Sequence, residues 1–164
     1  MIKAALMAAL TAVGAFIMIP IGPVPITLQS FFVLLSGRLL GKKYGVFAQI
    51  TYLLLGAFGL PIFSGGRGGL GVIAGPTGGF LISFALAAWI AANCSGNKKK
   101  DFFILAAAVL SNYIIGTFYF SLITETGILA SFNLTVVPFI PGDLLKIILV
   151  LILAPILEKQ LQFN

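Results

Sequence analysis

Residues 139–157 read FIPGDLLKIILVLILAPIL, an apolar run in which two opposite charges, Asp143 and Lys146, stand one helical turn apart. At helical pitch, positions i and i+3 share a face, so both side chains can point at one spot inside a helix bundle. Insertion scales charge each such group about 2.5–3.5 kcal/mol at the bilayer centre, a cost that mutual pairing and a polar cavity reduce. Intramembrane charges are functional by default, so the pair reads first as a device that holds something. An ion pair that pins two helices together is the plainer alternative.

The rest of the chain is of the same kind. Its 164 residues are 60% hydrophobic and only 9% charged, with a mean hydropathy of +1.14, which predicts an all-α integral membrane protein forming a single transmembrane domain over 1–164. The net charge of +6 does not point to nucleic acid, because the basic residues are dispersed between apolar runs rather than gathered on one face. With no histidine and a single cysteine, Cys94, a His-based triad, a His or multi-Cys zinc site and a disulfide framework are all excluded. Cys94 reads as a small packing residue, and neither an enzyme nor a cofactor is called for. The start MIKAALMAAL reads as a retained first helix, since it carries one lysine and runs on to Pro20.

Gly, Pro and charge punctuation divides the chain into about six apolar segments, at 4–19, 27–41, 44–58, 78–94, 102–122 and 140–157. Six spans put both termini on one side. Lys3, Arg38, Lys42, Lys43, Lys98, Lys99, Lys100 and Lys159 all fall at the termini or in the even-numbered connections, whereas the opposite face has only Arg67 in its loops. By the positive-inside rule both termini are expected to be cytoplasmic. Asp143 and Lys146 then lie near the outer end of the sixth span.

The outer connections differ from the inner ones. PIGPVP at 20–25, GLPIFSGGRGGLGVIAGPTGG at 59–79 and TETGILASFNLTVVPFIPG at 124–142 are nearly uncharged and rich in Gly and Pro. Irregular backbone near a membrane is tolerated only where protein buries it or where it lines a cavity. These loops are therefore expected to be ordered and to cap an external ligand pocket, the second acting as its lid.

Gly66, Gly68 and Gly71 match the dinucleotide pattern GxGxxG, but no βαβ unit or following acidic residue accompanies them, so the glycines are read as supplying tight turns and close backbone approach. Arg67, among those glycines, either meets an anionic ligand group or is a solvated or headgroup-facing arginine. Gln29, Asn112 and Tyr113 are polar or amphipathic residues inside apolar segments, where each needs a partner, from the ligand or from a neighbouring helix. Glu125 reads as a solvated loop charge. Ala4, Ala8 and Ala12 form a small-residue stripe on the first helix, with Ala5 and Ala9 beside it, a pattern of close helix packing within the bundle or against a partner.

Four stretches together, VPITLQ at 24–29, GLPIF at 59–63, GGLGVIAGPTGGF at 68–80 and PFIPGDLLK at 138–146, resemble the BioY family, the biotin-specific substrate-binding S component of energy-coupling factor (ECF) transporters. The resemblance implies a six-helix S-component fold that takes biotin from outside. It implies as partners a transmembrane coupling subunit and two ATPase subunits, with the alanine stripe as the docking surface. It also implies that Asp143 and Lys146 contact biotin. Biotin needs acceptors for two ureido N–H groups, a donor for the ureido oxygen, an apolar wall and a cation for its carboxylate. Asp143 and Lys146 can supply the charged groups, Gln29 and Asn112 auxiliary bonds, and Phe63 and Tyr52 apolar wall. Arg67 and, in the GPTGG stretch, Gly75 and Thr77 complete the candidate set. Which end of biotin meets which charge is open. An S component for another vitamin and a proton-coupled carrier using Asp143 are the alternatives.

Overall fold

A computed structural model describes residues 1–162 of the chain. The helices are α1 (Ile2–Phe16), α2 (Gln29–Ala57), α3 (Leu70–Ile73), α4 (Gly78–Ala91), α5 (Lys98–Thr124), α6 (Ile128–Thr135) and α7 (Ile140–Gln162). A small hairpin accompanies them, in which β1 (Met18–Ile19) pairs antiparallel with β2 (Ile26–Thr27) across the first outer loop.

The expected segments 27–41 and 44–58 are the two arms of α2. Gly41, at φ 73° and ψ −179°, breaks the helix there, in a backbone conformation that only glycine adopts cheaply. The arms fold back on each other through glycine: a Cβ on Gly45 would come within 2.8 Å of the Gly37 Cα. Across the same seam Gln49 Nε2 donates to Ser36 Oγ at 2.9 Å, and Gln29 Nε2 donates to Tyr52 Oη at 2.6 Å.

Residues 29–41 contain no exposed position, so the first arm of α2 is the centre of the bundle. It meets α1 where Gly14 abuts the Leu28–Gln29 backbone, α4 where Gly37 abuts the Ala88 carbonyl, and α7 through Ser30–Lys146 and Arg38–Glu158 contacts. The helices around it turn large apolar side chains outward at three- and four-residue spacing. Examples are Phe47, Ile50 and Leu54 on the second arm of α2, Ile82, Leu86 and Trp89 on α4, Leu110, Ile114 and Phe118 on α5, and Leu144, Ile148 and Ile152 on α7. Apolar surface this extensive calls for an apolar neighbour. Among the described residues, two stretches are long and apolar enough to cross a bilayer on their own, 98–124 with mean hydropathy 1.7 and 128–160 with 2.3.

The end of the bundle where the Gly41 turn and the N-terminus of α5 lie carries a partly buried ionic network, in which Asp101 is the buried member. Arg38 pairs with Glu158, and its Nε lies 3.7 Å from Asp101 Oδ2. Asp101 also accepts from the backbone N–H groups of Ser95 and Gly96 at 2.7 and 3.0 Å, which closes the α4–α5 turn.

The third outer connection is not irregular, contrary to expectation, but contains α6 and a short 3-10 turn at Val137–Phe139. Its Gly and Pro residues sit at its ends, leaving ILASFNLT without a breaker. Ser131 and Thr135, one turn apart, are buried, and Thr135 shares a 2.8 Å hydrogen bond with Thr117 of α5. The second connection likewise contains α3.

The alanine stripe needs a correction. Ala4 and Ala8, 1% and 4% exposed, pack into the core of the bundle, and Ala12 is half-covered, whereas Ala5 and Ala9 are exposed. The row Ala4, Ala8, Thr11 and Ala15 is the inner face of α1, so Ala4 and Ala8 have no surface to offer a partner.

Overpacking should discriminate the glycine positions. A Cβ at Gly37 would lie 2.1 Å from the Ala88 carbonyl oxygen, while one at Gly71 would meet nothing within 4 Å. Gly37→Ala is expected to cost about 1–3 kcal/mol, seen as a lowered melting temperature in detergent, and Gly71→Ala to leave it unchanged.

Candidate functional site

Asp143 occupies the first turn of α7, where the helix N-terminus favours a carboxylate, and Lys146 follows one turn later. They are 5% and 7% exposed. Lys146 Nζ lies 2.7 Å from Asp143 Oδ1 and donates to Ser30 Oγ at 2.9 Å. Ser30 in turn donates to the same Asp143 oxygen at 3.2 Å, and Tyr113 of α5 donates to Asp143 Oδ2 at 2.6 Å. A charge-neutral set is thus assembled from α2, α5 and α7. The ion pair itself lies within α7, and it is the serine and the tyrosine that carry it across to other helices.

A second polar cluster surrounds Gln29 at the start of α2. Gln29 Oε1 accepts from Thr27 Oγ1 and from Ser64 Oγ, each at 2.9 Å, while its Nε2 donates to Tyr52 Oη. Tyr52 passes the chain on, donating to the Ile62 carbonyl at 3.0 Å. This ties the second outer loop to the bundle centre. Tyr52 also carries an aromatic wall, with Phe63 edge-on at 5.5 Å and Phe84 stacked at 6.5 Å between centroids. Gly56 makes the room, since a Cβ there would lie 2.1 Å from the Phe63 ring.

The two clusters face two small compartments, of about 40 and 50 Å³, and Val24 and Pro25 of the first outer loop line both. Each has room for a few waters. Gln29, Phe63, Arg67 and Thr77 line the first; Asn112, Asp143 and Lys146 line the second. Tyr52 stands behind Gln29 as its partner. Gly75 lines neither, and its N–H is held by the Val72 carbonyl at 3.3 Å in the turn before α4. Arg67 is exposed at the rim, its Nε donating to the Ser64 carbonyl at 3.0 Å. Asn112 is bound to Ser83 of α4, so the interhelical bond weighed for it is present. Glu125 is exposed, at the C-terminus of α5.

Ser30, Thr27, Ser64 and Ser83 escaped the sequence reading. A hydroxyl in an apolar helix can satisfy itself on its own backbone, so it carries no signal of a distant partner. For Ser30 the one available clue was its place beside Gln29.

The family model described as the BioY family matches residues 1–163. The chain belongs to the BioY family. The resemblance carried by VPITLQ, GPTGG and PGDLLK is thereby borne out. Among BioY relatives, the biotin transporter BioY of Thermotoga maritima is 43% identical over 162 residues, covering 97% of this chain and 95% of that protein. The probable biotin transporter BioY of Pyrococcus horikoshii is also 43% identical, over 94% of this chain and 93% of its own length. A crystal structure of the S-component for biotin from an ECF-type ABC transporter superposes with a TM-score of 0.88 at 32% identity, covering 95% of this chain and 88% of that one. The fold is therefore that of an S component.

Tyr52→Phe removes the hydroxyl that joins Gln29 to the Ile62 carbonyl and leaves the buried Gln29 amide and the half-buried carbonyl short of a partner. A loss of about 1–3 kcal/mol is expected in detergent unfolding, against less than about 0.5 kcal/mol for Arg67→Ala at the rim.

Proposed function

We propose that this protein captures biotin at the outer face of the cytoplasmic membrane as the substrate-specific S component of an ECF transporter. It spans the membrane six times with both termini inside. The observation that carries the reading is the buried Asp143–Lys146 pair, set under the first outer loop on the wall of one of the two polar compartments. An acceptor and a donor 2.7 Å apart, with Gln29 and Asn112 nearby and an aromatic wall of Phe63, Phe80 and Phe84, match a ligand with ureido N–H groups, a carbonyl, a carboxylate and an apolar ring. Membership of the BioY family and the names of its relatives support biotin over another vitamin.

The outward apolar rows on α1, α2, α4, α5 and α7 support the six spans. The arms of α2 account for two of them, on either side of the Gly41 turn. Lys42, Lys43 and Lys98–Lys100 lie at the turns of one end, which the positive-inside rule makes cytoplasmic, so the ligand pair faces outward. The chain has no phosphate-binding loop, and energy for uptake comes from two ATPase subunits through the transmembrane coupling subunit. Docking then falls to the exposed face of α1, where Ala5 and Ala9 permit close approach.

Calorimetric titration of the purified protein tests the reading, with tight binding of biotin and none of thiamine or riboflavin expected. A stable sample that binds another vitamin, or no vitamin, contradicts it. Removing one member of the pair leaves the other buried and uncompensated, at roughly 3–5 kcal/mol. Asp143→Asn and Lys146→Ala are each expected to weaken biotin binding by at least about a hundredfold. Ala5→Trp and Ala9→Trp are expected to bind biotin normally and to fail to co-purify with the coupling subunit.

A further inference from the structure

Tyr113 and Asp143 line two spaces at once. On the inner side they bound the compartment of about 50 Å³ beneath Val24 and Pro25. On the outer side they bound a groove of about 280 Å³ between α5 and α7, lined otherwise by aliphatic side chains that include Leu110 and Leu144. The Tyr113–Asp143 hydrogen bond is therefore part of the partition between a polar interior and an apolar cleft.

If the pair binds biotin, as proposed above, capture sets two requirements that the partition bears on. The ligand needs Asp143 as an acceptor, and it needs far more room than a few waters occupy. Asp143 Oδ1 already accepts from Lys146 and Ser30 and Oδ2 from Tyr113, which fills three of the about four acceptor sites of a carboxylate and crowds the one left on Oδ2 with the tyrosine. Lys146 must stay close for charge balance, and Ser30 is fixed on the buried arm of α2. Tyr113 is the bulky partner that remains, and its hydroxyl is held through Asp143, with the groove directly beside it.

We propose that Tyr113 is a displaceable wall of the site. It holds Asp143 before capture, and on capture its ring swings into the α5–α7 groove, yielding Oδ2 to a ligand N–H and its own volume to the ligand. Every capture then breaks the Tyr113–Asp143 bond, and every release restores it. Affinity is lowered by that exchange and release is quickened, which suits a protein that must give its ligand up again. Tyr113 is on this view a residue that tunes affinity against release, acting through Asp143.

Two variants test it by stopped-flow binding of biotin in detergent. Tyr113→Phe keeps the ring and removes the bond. A hydrogen bond to a charged group is worth enough for biotin to bind about tenfold tighter and dissociate correspondingly more slowly. A residue with only a structural role would give weaker binding when altered. Leu144→Trp fills the groove from its exposed rim and is expected to slow biotin association by about tenfold, since the ring has nowhere to go. Unchanged or weaker binding by Tyr113→Phe, or wild-type association by Leu144→Trp, overturns the proposal. Failure of the wild-type protein to bind biotin at all would instead overturn the functional reading on which it rests.

Discussion

The closed pair of Asp143 and Lys146 is the constraint around which the rest of the bundle is arranged. Two opposite charges, each more than nine-tenths buried, are tolerable only while they remain together and their remaining hydrogen-bonding capacity is met. Ser30 and Tyr113 meet most of it, and in doing so fix α2 and α5 in register against α7. The same three helices are joined at the opposite end by Arg38, Asp101 and Glu158. Polar networks thus hold both ends of the central packing, and small residues such as Gly37, Gly45 and Ala88 allow close approach between them.

The outer loops gain their order from the second polar cluster and from the hairpin. Gln29 reaches the second loop through Ser64 and, by way of Tyr52, through the Ile62 carbonyl, so the loop is tied to the central arm of α2 by hydrogen bonds rather than merely resting on it. The first loop is shaped by the β1–β2 hairpin, which presents Val24 and Pro25 between the two compartments. A ligand that spans both compartments has to displace that turn. The polar groups it would meet are fixed by the bundle, whereas the cover over them is built from short loop segments.

The helices were legible because breakers mark their ends. Gly41 falls between two apolar runs and the structure reverses there, and the KKKD stretch opens α5 as charge punctuation predicts. The charged pair was legible because a charge in an apolar run is too costly to stand there without a partner. What could not be read was direction. Alanines occupy two adjacent rows of α1, and composition does not say that Ala4 and Ala8 face the core while Ala5 and Ala9 face outward. Asp101 looks like one more solvated charge beside three lysines, yet it is buried by Arg38 and two backbone N–H groups that only the tertiary fold brings near. Helix α6 was hidden because its flanking Gly and Pro residues dominated the reading of the whole connection.

A structure determined with biotin bound would test the central claim most directly. Capture by the charged pair places polar atoms of biotin within about 3.2 Å of both the Asp143 carboxylate and the Lys146 ammonium group, beneath Val24 and Pro25. Biotin bound elsewhere, with Asp143 still closed on Lys146, Ser30 and Tyr113, would contradict it and leave the pair as a purely structural clamp.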